Sequence, residues 1–266
     1  MCPVCGERAV VTHPRPGEGE RTVARLRSGS ARPGFSIVDV LVSITVIMIL
    51  IALLTPTLAA VNRTAQQVVC SSNVRQIGIG ILFFADDHRD RIPQSAFVTG
   101  GPNGRYSPEQ MMKIRVERVP DSVPRDDWDG LGHLFVGEYL PVAGLYYCPA
   151  HKGEHPLSRY GDMWNNAYGT IFSNYQYRGR GPDSELHLTR IEPSQAALVT
   201  DGLRSQMDFS HGNGCNVLRA DISVVWYADS DRKLFNSLPA HPGEITPGTV
   251  TTAWQQLDPI TLHGGN

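Results

Sequence analysis

The sequence has no strong charge of either sign, few cysteines, no G-x-S-x-G nucleophile elbow and no G-X-Y repeat, and each absence removes a class of protein. Its 26 Gly and 19 Pro, without a three-residue period, exclude a collagen-like chain. Five cysteines in 266 residues are too sparse for a disulfide-built scaffold, so a hydrophobic core must hold the fold. The missing elbow removes the α/β-hydrolase route to serine catalysis. What is present is ordinary for a globular chain of one or two domains: 41% hydrophobic and 19% charged residues.

The net charge of −2 conceals an asymmetry. Met1–Gly34 carries six Arg (8, 15, 21, 25, 27 and 32) against three Glu (7, 18 and 20), net +3, which leaves 18 basic and 23 acidic residues, net −5, in Phe35–Asn266. So acidic a body is a poor nucleic-acid binder, and no nucleic-acid partner is expected.

A long uncharged run follows the basic segment. From Val40 to Val61 no residue carries a formal charge, and Val40–Leu54 is apolar except for Ser43 and Thr45. About 20 such residues, as helix, cross a bilayer core. The Arg excess ahead of the run predicts an N-terminus in the cytoplasm and the rest of the chain outside. A cleaved secretory signal fits less well, because its apolar region is shorter and Leu58-Ala59-Ala60 continues into a helical pattern. Val74, Ile77, Ile81 and Phe84 recur at helical spacing, with Arg63, Gln66, Gln67, Arg75 and Gln76 on the polar face. Unbroken from Phe35 to Asp87, the helix would extend about 80 Å at ~1.5 Å per residue. Pro56 is expected to kink it, and Asp86–Pro93 to end it.

The junction Arg32-Pro33-Gly34-Phe35-Ser36-Ile37-Val38-Asp39 resembles the prepilin class III signal of type IV pilins and type II secretion pseudopilins. The resemblance implies cleavage after Gly34 by a prepilin peptidase and N-methylation of Phe35. It implies that Asp39, where the family usually has Glu, meets the N-terminal amine of a neighbouring subunit, and that Pro56 is the family's helix proline. An ionised carboxylate at mid-bilayer costs roughly 2.5–3.5 kcal/mol on insertion scales, so Asp39 needs a partner or a place near the interface. Farther on, Cys70-Ser71-Ser72-Asn73-Val74-Arg75-Gln76-Ile77-Gly78, then Phe84-Ala85-Asp86-Asp87-His88 and Arg91-Ile92-Pro93, are similar to the prepilin-type cleavage and methylation proteins of planctomycetes and related bacteria. Their C-terminal H-X9-DG signature survives here as His211 and Asp221, with Ile222 in place of the glycine.

The resemblance implies an α+β, pilin-like fold in which a long N-terminal helix packs its outer half on a small antiparallel sheet. The expected organisation is a cytoplasmic leader over 1–34 that is removed, a membrane-spanning half-helix over 35–60, an amphipathic half over 61–90, and an extracytoplasmic globular domain over 91–266. The implied function is that of a structural subunit of a type II secretion pseudopilus or related type IV filament. The resemblance implies no enzymatic activity and no cofactor. The implied partners are the prepilin peptidase, other pilin or pseudopilin subunits and the inner membrane, which the chain is expected to cross once. The alternative is an envelope-anchored binding module that uses the leader for export and never polymerises.

Within the globular part, Gly100–Gly144 is expected to be loops, with one short helix near Pro108–Val119. Strands are expected at Leu145–Cys148, Thr170–Tyr177, Ala196–Thr200, Asn216–Ala220 and Ile222–Tyr227, the last two as a hairpin around Asp221. Beside Ser210, His211 and Asp221 are read as turn residues that hydrogen-bond the backbone. His151-Lys152-Gly153-Glu154-His155 matches H-x-x-E-H, whose zinc chemistry needs both histidines on one helix face; Pro149, Gly153 and Pro156 deny that helix, and no metal is assigned. Cys2-Pro3-Val4-Cys5 is half a zinc knuckle, with only His13 nearby, and would leave with the leader. Cys70, on the helix, and Cys148, ending a strand packed against it, are a candidate disulfide. It would close a loop of about 77 residues and contribute roughly 2–4 kcal/mol. Cys215 competes as partner, and a third reading keeps all three as small buried apolar residues.

Overall fold

A capping box starts the first regular element. In the computed structural model, which describes Gly34 and residues 36–95, 110–116, 128–166, 169–244 and 247–258, helix α1 spans Ile37–Asp87. Ser36 Oγ accepts the Val38 N–H at 3.3 Å, and the Asp39 carboxylate accepts the Ser36 N–H at 3.3 Å. Two donors that a helix start leaves unpaired are thereby satisfied. The helix runs through Pro56, which has no N–H to give the Ala52 carbonyl.

The chain divides into two compact units, Met1–Ile51 and Ala52–Asn266. In the first, every described residue is exposed. The helix is long and apolar enough to cross a membrane. In the second unit, α1 buries one stripe made of Cys70, Asn73, Val74, Ile77, Gly78, Ile81 and Ala85, the three-and-four spacing of an amphipathic helix. It ends where Arg89 and Asp90 turn left-handed, with φ of 57° and 66°, and the Asp90 N–H closes onto the Ala85 carbonyl at 2.8 Å.

Strands β1 (Lys113–Arg115) and β2 (Ile171–Phe172) pair antiparallel. Strands β3 (Tyr175–Tyr177), β4 (Ala197–Asp201), β5 (Gly214–Arg219) and β6 (Val224–Ala228) form an antiparallel sheet in that spatial order. Short helices α2 (Gly132–Val136), α3 (Leu157–Tyr160) and α4 (Lys233–Ser237) and the longer α5 (Pro247–Leu257) complete the fold. An α+β architecture with a long apolar N-terminal helix and antiparallel sheets is thus present.

Several local expectations are corrected. Leu145–Cys148 is not a strand: Ala143–Tyr146 winds into a 3-10 turn, and the Tyr147 N–H returns to the Gly144 carbonyl at 3.3 Å. The Thr170–Tyr177 run divides at Ser173-Asn174, whose backbone N–H groups are taken by Met112 and Tyr146 carbonyls of other segments, so β2 and β3 enter different sheets. Near Pro108–Val119, the described residues form a single 3-10 turn, Gln110–Met112, leading into β1. The expected loop region also contains α2. Its Gly132 is required by packing, since a Cβ there would lie 2.1 Å from the Ile114 carbonyl oxygen.

The four-stranded sheet is covered on both faces. Leu198 and Leu218 belong to a core with Val74, Ile77 and Ile81 of α1. Ala197, Cys215 and Val217 belong to a second core with Leu234 of α4 and Ala253, Trp254 and Leu257 of α5. Burial along β4 is accordingly continuous, as in sheets buried on both faces, where the sequence reads as an apolar run and not as an alternation.

Candidate functional site

At the N-terminal junction, Gly34 is exposed, and a Cβ added there would meet nothing within 4 Å. The fold therefore places no demand for glycine at that position. Phe35 and the leader residues Cys2, Cys5 and His13 lie outside the described residues. Asp39 sits in the capping box, with Ser43 Oγ donating to its carbonyl at 2.7 Å.

A group of polar side chains converges in the buried interior of the larger unit. Cys70 comes from the buried stripe of α1, Cys148 from the segment after the 3-10 turn, Asp201 from the last position of β4, and His211 from the turn that leads into β5. The Cys70 thiol donates to Asp201 Oδ2 at 2.9 Å and lies 3.4 Å from the Tyr175 hydroxyl. Cys148 Sγ is 3.3 Å from His211 Nε2, and that nitrogen is 3.1 Å from Asp201 Oδ2. One donor atom from each of the four residues lies within 4.8 Å of every other. Outside them, Asn216 fixes the carboxylate: its N–H reaches Oδ1 and its Nδ2 reaches Oδ2, each at 3.0 Å. The His211 ring also meets Trp226 edge-on, with centroids 5.7 Å apart.

Local structure explains how these groups meet. Gly202, directly after Asp201, takes φ of 68°, and a Cβ there would be 2.2 Å from the Asp208 carbonyl oxygen. Only glycine lets the chain turn away at the strand end while Asp201 points inward. The electrostatics follow from burial. Burial pushes the Cys70 thiol up, and the neighbouring Cys148 and Asp201 push it further. For His211, burial opposes the charged ring, but hydrogen bonds to Asp201 and the Cys70 sulfur prevail and hold it at about 10.

The pairing of His211 differs from the H-X9-D pattern. Its carboxylate partner is Asp201, ten positions before it, while Asp221 lies beyond β5 and accepts the Ser223 N–H and hydroxyl at 2.9 and 2.6 Å. Asp221 thus serves the β5–β6 hairpin, as a turn residue, and His211 serves the cluster. Ile222 holds the left-handed position there, with φ of 64°. Cys70 and Cys148 do meet, as two free thiols. Cys215 packs in the other core, because strand alternation turns it away from Asn216, which faces the cluster. Sequence reasoning missed Asp201; its signal was an acidic residue followed by glycine at the end of the β-favouring run Ala196–Thr200.

The H-x-x-E-H segment is a loop, as expected, and it wraps a buried arginine. Arg204, 2% exposed, donates to Asp208 Oδ2 at 2.8 Å, to Glu154 Oε2 at 2.8 Å and to His155 Nε2 at 2.9 Å. Accepting at Nε2 leaves the His155 proton on Nδ1, which donates to the Tyr160 hydroxyl at 2.7 Å. Both ring nitrogens are thus committed and neither can ligate a metal together with His151. Burial and the Arg204 charge hold the His155 imidazolium down at about 4.

Comparison with protein-family models, with curated proteins and with solved structures returns no match. The functional reading accordingly rests on the residues and their geometry.

Proposed function

We propose that this chain is a single-pass, pilin-like structural subunit of a type II secretion pseudopilus or related type IV filament, matured by a prepilin peptidase. The observation that carries the reading is the junction itself: Gly34-Phe35 stands directly before a capped apolar helix whose first turn bears Asp39 and whose far half buries one stripe in an α+β unit. Glycine at position 34 has no steric reason in the fold, which supports a requirement set by a processing enzyme. In this reading the basic leader stays in the cytoplasm, the apolar half of α1 anchors and assembles, and residues beyond it form the extracytoplasmic domain. Its work is to occupy a place in a polymer, and it performs no catalysis.

Mass spectrometry of the chain extracted from membranes tests this. The expected first residue is Phe35 carrying an added methyl group, in material that co-purifies with filaments of the same subunit. An N-terminus near Ala60 would replace the reading with a secreted protein. A processed Phe35 end on a chain that remains monomeric in the membrane would favour the envelope-anchored binding module.

A further inference from the structure

We infer that Cys70, Cys148, Asp201 and His211 form a closed tetrahedral zinc site that ties helix α1 to the sheet. Two thiol sulfurs, one imidazole nitrogen and one carboxylate oxygen are the ligand types zinc takes, with bonds of about 2.0–2.3 Å. A tetrahedron with such bonds separates its corners by about 3.3–3.8 Å. The observed approaches of 2.9 and 3.1 Å are shorter, that of 3.3 Å lies at the lower end of this range, and every pair lies within 4.8 Å. Small side-chain torsion changes that move the donor atoms by about half an ångström bring the cluster to the required size.

The surroundings have the character of a ligated centre. Asn216 uses both its backbone and its side chain to orient the Asp201 carboxylate, which is the role of an outer-shell partner. Asp201 Oδ2 is approached at once by Cys70, His211 and Asn216. A single proton on His211 Nε2 cannot serve both Asp201 and Cys148, which face it at 3.1 and 3.3 Å. A cation at the centre satisfies all four donor atoms together. Binding would release the two thiol protons and the Nε2 proton to solvent, leaving two thiolates, one carboxylate and a neutral imidazole around Zn²⁺, net −1. With four protein ligands and no open position, the site is structural. It links segments 131 residues apart at Cys70 and Asp201, and 63 apart at Cys148 and His211, so the metal would hold together elements that are remote in the chain. This inference is independent of filament assembly and stands or falls separately from it.

The test uses the full-length chain, purified in detergent with a thiol reductant and equilibrated with zinc or with Co²⁺. About one zinc per chain is expected by elemental mass spectrometry, and the cobalt form should show a thiolate-to-metal charge-transfer band with intense ligand-field bands of tetrahedral type. Cys148→Ser and His211→Gln should lose the stoichiometric metal, Asn216→Ala should weaken zinc binding by about 10–100-fold, and Cys215→Ala, in the opposite core, should leave it unchanged. Wild-type protein with reduced thiols that binds neither metal overturns the inference without recourse to any variant. So does retention of wild-type zinc affinity in Cys148→Ser. Recovery of a linked Cys70–Cys148 peptide as the state of the freshly extracted protein also overturns it, in favour of a disulfide.

Discussion

His155 shows how one residue's setting changes its chemistry. In a helical H-x-x-E-H its ring would be a metal ligand; here it is an acceptor for a buried guanidinium. Arg204 faces it from the segment after β4, with Asp208, His151 and Arg159 also acting on its charge. The net effect holds the folded-state value at about 4, against ~6.5 for an unperturbed histidine. Between those values the unfolded chain binds a proton that the folded chain refuses, so stability falls as pH drops through that window and is unaffected by this group above it. Urea denaturation at pH 7 and pH 5 should therefore show a larger loss on acidification for the wild type than for His155→Gln, which keeps an acceptor but does not titrate. Equal losses would mean that His155 is protonated in the fold and that Arg204 is held by its carboxylates alone. Glu185 adds a separate acid dependence, since hydrogen bonds from His187 and Leu186 hold it at about 2; its window lies lower and does not mimic that of His155.

At the scale of elements, Asp39 belongs to two devices at once. Its carboxylate completes the capping box of α1, and in the filament reading the same charge balances a neighbouring subunit's amine. The two roles separate by substitution. Asp39→Asn keeps an acceptor for the Ser36 N–H and loses the charge, at a helix cost of about 0.3–1 kcal/mol. Asp39→Glu keeps both, as Glu is a common partner in capping boxes. Cleavage and helix content should survive in both variants, measured by mass spectrometry and circular dichroism, while filament yield falls severalfold in Asn only. Equal yields would reduce Asp39 to a cap. The elements themselves were unevenly legible. β4, β5 and β6 stood out because short β-favouring runs between Gly, Asn and Asp belong to strands, and the buried stripe of α1 because its spacing is helical. Leu145–Cys148 was misread because a short apolar run cannot distinguish a strand from a tight turn, and here the Tyr147 N–H closes a 3-10 turn onto the Gly144 carbonyl. The cluster was half legible: Cys70 and Cys148 could be paired by topology, whereas the link from His211 back to Asp201 depends on a neighbouring-strand register, Thr200 opposite Val217, which no local spacing encodes.

For the whole molecule, the proposed leader would act through its charge. Removing residues 1–34 takes away a net +3 and leaves 232 residues of net −5, where the precursor has −2. In the filament reading, maturation would make the protein smaller and more acidic, and a two-dimensional gel would separate the two forms on both axes. Gly34→Leu is the variant to compare, because the space around position 34 is open and a side chain there strains nothing in the fold. The expected outcome is an uncleaved, more basic precursor whose folded unit denatures at the same urea concentration as the wild type. That combination separates a processing requirement from a folding one: a bulky residue that lowered stability would implicate packing at Gly34, and one that left cleavage intact would remove the prepilin reading of the junction. Because the basic leader stands ahead of the apolar run, its retention should leave the topology unaltered and the precursor inserted with its N-terminus in the cytoplasm. The failure then appears only where the free amine of Phe35 is needed, in the pairing with a neighbour's Asp39, so Gly34→Leu and Asp39→Asn should give the same membrane-inserted, unassembled protein by two different routes.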